Sequence, residues 1–122
     1  MLFRSWLTQE PEKLSIAAQA AINDSLSSLF LSHASAWEIH LKHNAGKLAL
    51  PEPPRIWIPR QLEEWRIAEL PIRFGAIQRT SDLPGIHRDP FDRLLVAQAQ
   101  EDGFCIVSPD QYFPEYGVPV VW

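Results

Sequence analysis

Cysteine is nearly absent from this 122-residue chain, with Cys105 the single example. One cysteine permits no internal disulfide, so stability must come from a packed core, and a reducing cytosol suits the chain best. Cys105 sits in the apolar run Phe104-Cys105-Ile106-Val107, where a thiol is expected to behave as a small buried core residue. Long apolar runs are also lacking. None approaches the roughly 20 residues of a membrane span, and the N-terminus has no signal-peptide layout. Positive charge is not in excess either: 11 Lys and Arg against 15 Asp and Glu leave a formal charge of -4. That argues against a protein gripping nucleic acid through a broad basic surface. It leaves room for an enzyme that handles phosphate locally, with metal ions and a few arginines. With five glycines, the chain shows no Gly-rich phosphate loop and no nucleophile elbow.

Proline, by contrast, is plentiful at 11, and Pro51, Pro53, Pro54 and Pro59 gather in one connector. They imply short elements with firm stops. The length and the 46% hydrophobic content suit a single domain over residues 1–122 with a core of its own. No repeat or low-complexity tract interrupts it.

Apolar residues at 14, 17, 18, 21 and 22 make a helical stripe over Leu14–Ile22. Leu29-Phe30-Leu31 reads as a strand. A helix follows from about Ala34 to Asn44, stopped by Gly46, and either Ser32 or Ser35 can start it. Pro59 suits the first position of a helix running to about Glu69. A short strand is expected at Leu70-Pro71-Ile72, a short helix over Gly75–Asp82, and a strong helix over Phe91–Glu101 closed by Gly103. Phe104–Val107 reads as a buried strand, Gln111–Tyr116 as a helical turn, and Val118–Trp122 as a last strand. Alternating helices and short, continuously apolar strands specify α/β with a mostly parallel sheet.

The chemistry concentrates in His87-Arg88-Asp89-Pro90-Phe91-Asp92-Arg93, where two carboxylates three residues apart open an Ala-rich helix. Asp at the N-cap, Pro at the first position and Asp at the third is a good helix start in its own right. On the functional reading, the same helix N-terminus favours negative charge and aims both acids at a cation. Asp110, after the strand ending at Val107, can cap the next turn or add a third acid. Glu38 lies four residues before Lys42, which suits a helical ion pair, or it adds a fourth. Together they suggest a carboxylate cluster for a hard divalent metal.

In that order and placement the chain resembles the VapC-type toxins, which are PIN-domain ribonucleases. The likeness rests on Ser32 to Leu48 with Ser35, Trp37, Glu38, Lys42 and Gly46, on His87 to Ala99, and on Val107-Ser108-Pro109-Asp110 with Phe113 and Tyr116 to Val120. The resemblance implies a three-layer α/β/α fold and a divalent-metal-dependent endoribonuclease using Mg2+ or Mn2+. It also implies a cognate antitoxin as partner, an RNA substrate and a homodimer in the cytoplasm. It places Glu38, Asp92 and Asp110 on the metal-site acids, with Asp89 as an adjacent catalytic helper. The family's opening strand ending in Asp has no counterpart here, because Met1 to Leu7 looks like the helix that follows it. The expectation is therefore an N-terminally truncated fold, lacking a central strand and the first acid. A downstream start, a shortened chain and a degraded copy all remain open. A non-catalytic antitoxin-binding module is accordingly the alternative to an active nuclease.

The remaining tempting residues divide. His33, His40, His43 and His87 make no convincing transition-metal set. Arg88 and Arg93 are expected either to touch RNA phosphates or, for Arg93, to pair with a nearby carboxylate. Ser108 can orient an acid or bond the backbone of its own turn. Of the five tryptophans, Trp37 and Trp65 belong to buried stripes, while Trp57 in the proline-rich connector is free to contact a partner.

Overall fold

The computed structural model describes Leu2, Phe3, Ile16, Ala20, Asn23, Asp24, residues 28–108 and residues 110–122. The helix expected over Leu14–Ile22 lies almost wholly outside the described residues; Ile16, Ala20 and Asn23 are helical.

Five parallel strands form the sheet: β1 (Leu2–Phe3), β2 (Leu29–Ser32), β3 (Ile67–Leu70), β4 (Ile106–Val107) and β5 (Val120–Val121), in the order β3-β2-β1-β4-β5. Four helices of the site region are α1 (His33–Asn44), α2 (Pro54–Glu64), α3 (Phe74–Arg79) and α4 (Pro90–Asp102), followed by a single turn, α5 (Tyr112–Glu115).

Alternation along each strand splits the core in two. Leu29 and Leu31 of β2, Ile67 of β3 and Val107 of β4 join Ile39 of α1 and Trp57 and Ile58 of α2. Phe30, Leu70 and Ile106 turn the other way, toward Ala76 of α3, Leu95, Val96, Ala97 and Ala99 of α4, and Phe113. Period-two side chains feeding two separate clusters mean that helices cover both faces of the sheet. This is the expected three-layer α/β/α architecture.

One expectation about its centre fails. Leu2 and Phe3 are not helical but form β1, pairing Leu2 with Phe30 on one side and with Ile106 on the other. Without them β2 and β4 would each leave an unsatisfied edge at the middle of the sheet, and an apolar dipeptide is enough to fill that slot. In sequence β1 is followed by Arg4 and Ser5, with no acid before Glu10.

Helix ends follow local chemistry. The Ser32 hydroxyl, not that of Ser35, caps α1 by accepting from the Ala34 amide at 3.1 Å. At its other end Lys47 N–H bonds Lys42 O and Gly46 N–H bonds His43 O, with Gly46 at φ +72°. This is a Schellman closure. Helix α2 begins earlier than expected. Pro54 takes the first position and Pro59 lies inside, costing one intrahelical hydrogen bond. The burial of Trp57 and Ile58, at about 1.5–3 kcal/mol for a large apolar side chain, outweighs that loss. Trp57 is therefore a core residue and not a free partner contact. Ending α2 at Glu64 also moves β3 upstream, to Ile67–Leu70.

Candidate metal centre

Parallel topology gathers the acids at one edge. Helix α1 leaves the C-terminal end of β2, and Asp110 lies just beyond the C-terminal end of β4. Helix α4 feeds β4 and runs back along the sheet, so its N-terminus opens at that same edge. The strand order reverses between β1 and β4, which is where open α/β sheets form their crevice.

Asp89 is the N-cap of α4, its Oδ1 accepting from the amides of Phe91 at 2.9 Å and Asp92 at 3.4 Å. Asp92 is only 4% exposed, in the first turn of the same helix. Its Oδ2 accepts from the Tyr112 hydroxyl at 2.7 Å and lies 3.2 Å from His87 Nε2. The helix start favours negative charge there, so capping and clustering are both realised by the same residues. Among the described residues, His87, Asp89 and Asp92 form a group whose potential ligand atoms all lie within 4.8 Å of one another.

Asp110 is linked to that group through Tyr112, whose hydroxyl lies 3.2 Å from Asp110 Oδ2. Ser108 does both things expected of it. Its buried hydroxyl accepts from the Asp110 amide at 3.1 Å and donates to the Asp110 carboxylate at 3.3 Å. Glu38 is buried on α1 and makes the expected pair with Lys42 at 3.1 Å. It also lines a cavity of about 370 Å³ with Leu41, Lys42, Arg88, Asp89, Pro90 and Phe91. Of the four acids, Asp89 and Asp92 stand in the close group, Asp110 is joined to Asp92 through the Tyr112 hydroxyl, and Glu38 lines the same cavity as Asp89 but lies outside that group.

The donor set suits a hard or borderline divalent ion: several carboxylate oxygens, an imidazole nitrogen and an accessible cavity. Two members, His87 and Tyr112, were not singled out by spacing. Their rings stack with centroids 4.0 Å apart, a contact between a loop and a one-turn helix that no periodicity announces. The only available signal was adjacency to Asp89 and Asp110.

Other expectations are corrected. Among the described residues Arg93 is not paired with an acid; it bonds backbone carbonyls instead. Its guanidinium donates to the carbonyls of Thr80 (2.8 Å), Pro84 (2.9 Å), Leu83 (3.3 Å) and His87 (3.3 Å), fastening the loop that carries His87. Trp37 is 58% exposed and meets Phe91 edge-on at 5.3 Å, so it belongs to the rim of the site and not to the core. Cys105 is only partly buried. His33 is engaged by Glu69 at 2.9 Å. Arg88 is exposed and lines both the Glu38 cavity and a neighbouring one of about 330 Å³ with Ile77, Thr80, Pro90, Arg93 and Leu94.

Comparison with known proteins is consistent with this geometry. The PIN domain family model matches residues 3–119. Ribonuclease VapC22 of Mycobacterium tuberculosis is 29% identical over 122 residues, spanning 96% of this chain and 91% of that protein. Ribonuclease VapC16 of the same organism is 35% identical over 78 residues, 57% of this chain and 55% of that one. A solved structure of FitAB bound to an IR36 DNA fragment superposes with a TM-score of 0.64 at 18% identity, covering 98% of this chain and 92% of that one. At that identity the likeness speaks for the fold.

Proposed function

The chain belongs to the PIN-domain family, beside the VapC-type members it resembles, and from that premise we propose that it is a divalent-metal-dependent endoribonuclease, the toxin of a toxin–antitoxin pair. The observation that supports this reading is the grouping of Asp89 and Asp92 with His87 at the start of α4, with Asp110 reached through Tyr112 and Glu38 lining a cavity that Asp89 also lines. Asp92, Asp110 and Glu38 would hold Mg2+ or Mn2+ directly or through water, and Asp89 would support them.

A bound divalent ion supplies Lewis acidity, polarising the scissile phosphate and acidifying a water. The protein's own part is positional. Asp89 keeps the start of α4 in register, so that Asp92 is presented at a helix N-terminus. Ser108 fixes the rotamer of Asp110. The Tyr112 hydroxyl bridges Asp92, at 2.7 Å, and Asp110, at 3.2 Å. Arg88, with five donors in a planar fork, is the side chain best suited to take a phosphate oxygen at the cavity mouth.

The partners in this reading are a cognate antitoxin, an RNA substrate and a second copy of the chain, in the cytoplasm. Exposed Leu41 and Ile77, which line the two cavities, and Trp37, which packs on Phe91, offer apolar surface for a protein partner. Among the described residues no helix is long and apolar enough to cross a membrane. A second reading rests on a specific observation: Arg4 and Ser5 follow β1 where an acid would complete the site. On that reading the chain binds antitoxin but does not cut.

The deciding experiment is manganese-dependent cleavage of mixed RNA by the purified 122-residue chain, with Asp92→Asn alongside. Cleavage that disappears in the variant supports the nuclease. A folded wild type that leaves RNA intact but binds antitoxin supports the second reading.

A further inference from the structure

Magnesium sites are built from oxygen ligands and water, and the family resemblance assigned only carboxylates to this one. The structure adds a nitrogen. His87 Nε2 lies 3.2 Å from Asp92 Oδ2, and both belong to the group whose donor atoms fall within 4.8 Å. In an octahedral site with ligand bonds of about 2.1 Å, adjacent donors stand roughly 3.0 Å apart. The imidazole nitrogen and the carboxylate oxygen are therefore already spaced as neighbouring ligands of one ion.

The surroundings hold that nitrogen in place. The imidazole is sandwiched on one side by the Tyr112 ring at 4.0 Å and 25°, which sets its plane. Its backbone is fixed at both ends of the peptide: His87 N–H donates to the Tyr116 hydroxyl at 2.9 Å, and His87 O accepts from Arg93. The side chain is one-third exposed, so an ion can reach it, whereas Asp92 behind it is buried. Tyr112 touches both partners, stacking on His87 and donating to Asp92, and so couples the orientation of nitrogen and oxygen.

We propose that His87 is a ligand of the metal centre, and that its nitrogen makes the site select manganese over magnesium. Magnesium gains little by exchanging a water for imidazole. Mn2+, the weakest-binding ion of the first-row divalent series, shares the oxygen donors that suit magnesium and as a transition ion gains more from a nitrogen donor. This rests on the nuclease reading for the existence of the centre and extends it by naming the ion it prefers. The same nitrogen already lies beside the Asp92 carboxylate, so both can face one ion with little movement of the ring.

The test uses the tag-free full chain loaded with Mn2+. Pulsed electron paramagnetic resonance reads directly whether a nitrogen-14 nucleus is bonded to the ion, and calorimetric titration with Mn2+ and Mg2+ reads selectivity. The expected result is a directly bonded nitrogen in the wild type that is absent in His87→Gln. Manganese affinity should fall at least about tenfold in that variant, the lower end of what disturbing a metal site costs, with magnesium affinity nearly unchanged. The wild-type spectrum stands even if the variant folds poorly. Manganese bound through the acids with no nitrogen coupling, or with coupling that persists in His87→Gln, would overturn the assignment and leave the nuclease reading intact. Failure of the wild type to bind manganese in an Asp92-dependent way would overturn both.

Discussion

At the scale of single residues, Asp92 separates metal binding from stability. It is buried at a helix start but keeps hydrogen-bond partners that an amide can still satisfy. Asp92→Asn is therefore expected to abolish manganese binding while lowering unfolding free energy by about 1 kcal/mol, the scale of a helix-start change. Denaturant melts and calorimetry on the same samples check this, and a loss of several kcal/mol with intact manganese affinity would make Asp92 a purely structural group. Ser32 is the opposite case. Its hydroxyl both caps α1 and donates to the buried Gln98 side chain of α4, whose amide donates to Pro71 O at 3.2 Å. Ser32→Ala removes a cap and leaves a buried acceptor without that donor, so a cost of about 2–3 kcal/mol is expected in urea unfolding. The acids themselves were legible from their order in the sequence, because helix starts and strand ends have local signatures. His87, Tyr112 and Arg93 were not, because their roles are set by loop packing between segments distant in the chain.

Among the elements, α4 is the one whose bounds were most fully legible in the sequence. Asp89 and Pro90 open it, and Gly103 closes it in the left-handed region at φ +72°. Gly103→Ala meets no steric neighbour, so its cost is conformational alone: about 1 kcal/mol, read as a lowered denaturation midpoint with unchanged manganese affinity. The element read least well was α2. Proline favours the first helical position at Pro54 and Pro59 alike, and only the tertiary burial of Trp57 and Ile58 decides in favour of the earlier start. Strand β1 was missed for a related reason. Two residues carry no periodicity, and the slot between β2 and β4 that recruits them exists only in the assembled sheet.

For the whole molecule, a cation that binds the folded state alone stabilises it by mass action. Manganese at a free concentration 100 times its dissociation constant is expected to stabilise the fold by about 2.7 kcal/mol. For a domain of this size that corresponds to a rise of about 10 °C in thermal midpoint. Differential scanning calorimetry with and without manganese checks the figure, and the rise should vanish in Asp92→Asn. The architecture itself was readable because apolar strands alternating with helices allow few arrangements. The two-sided core follows from the same period-two pattern in Leu29-Phe30-Leu31 and Ile106-Val107.

The convergence of four loop carbonyls on Arg93 also bears on time. A loop held by scattered contacts opens piecemeal, but one whose carbonyls share a single guanidinium must release them together. The stretch from Thr80 to His87 is thus expected to open as one cooperative unit, its amides exchanging with solvent in step. His87 would then arrive at the site and leave it as an all-or-none event, and the rate of metal release would be governed by the side chain of Arg93.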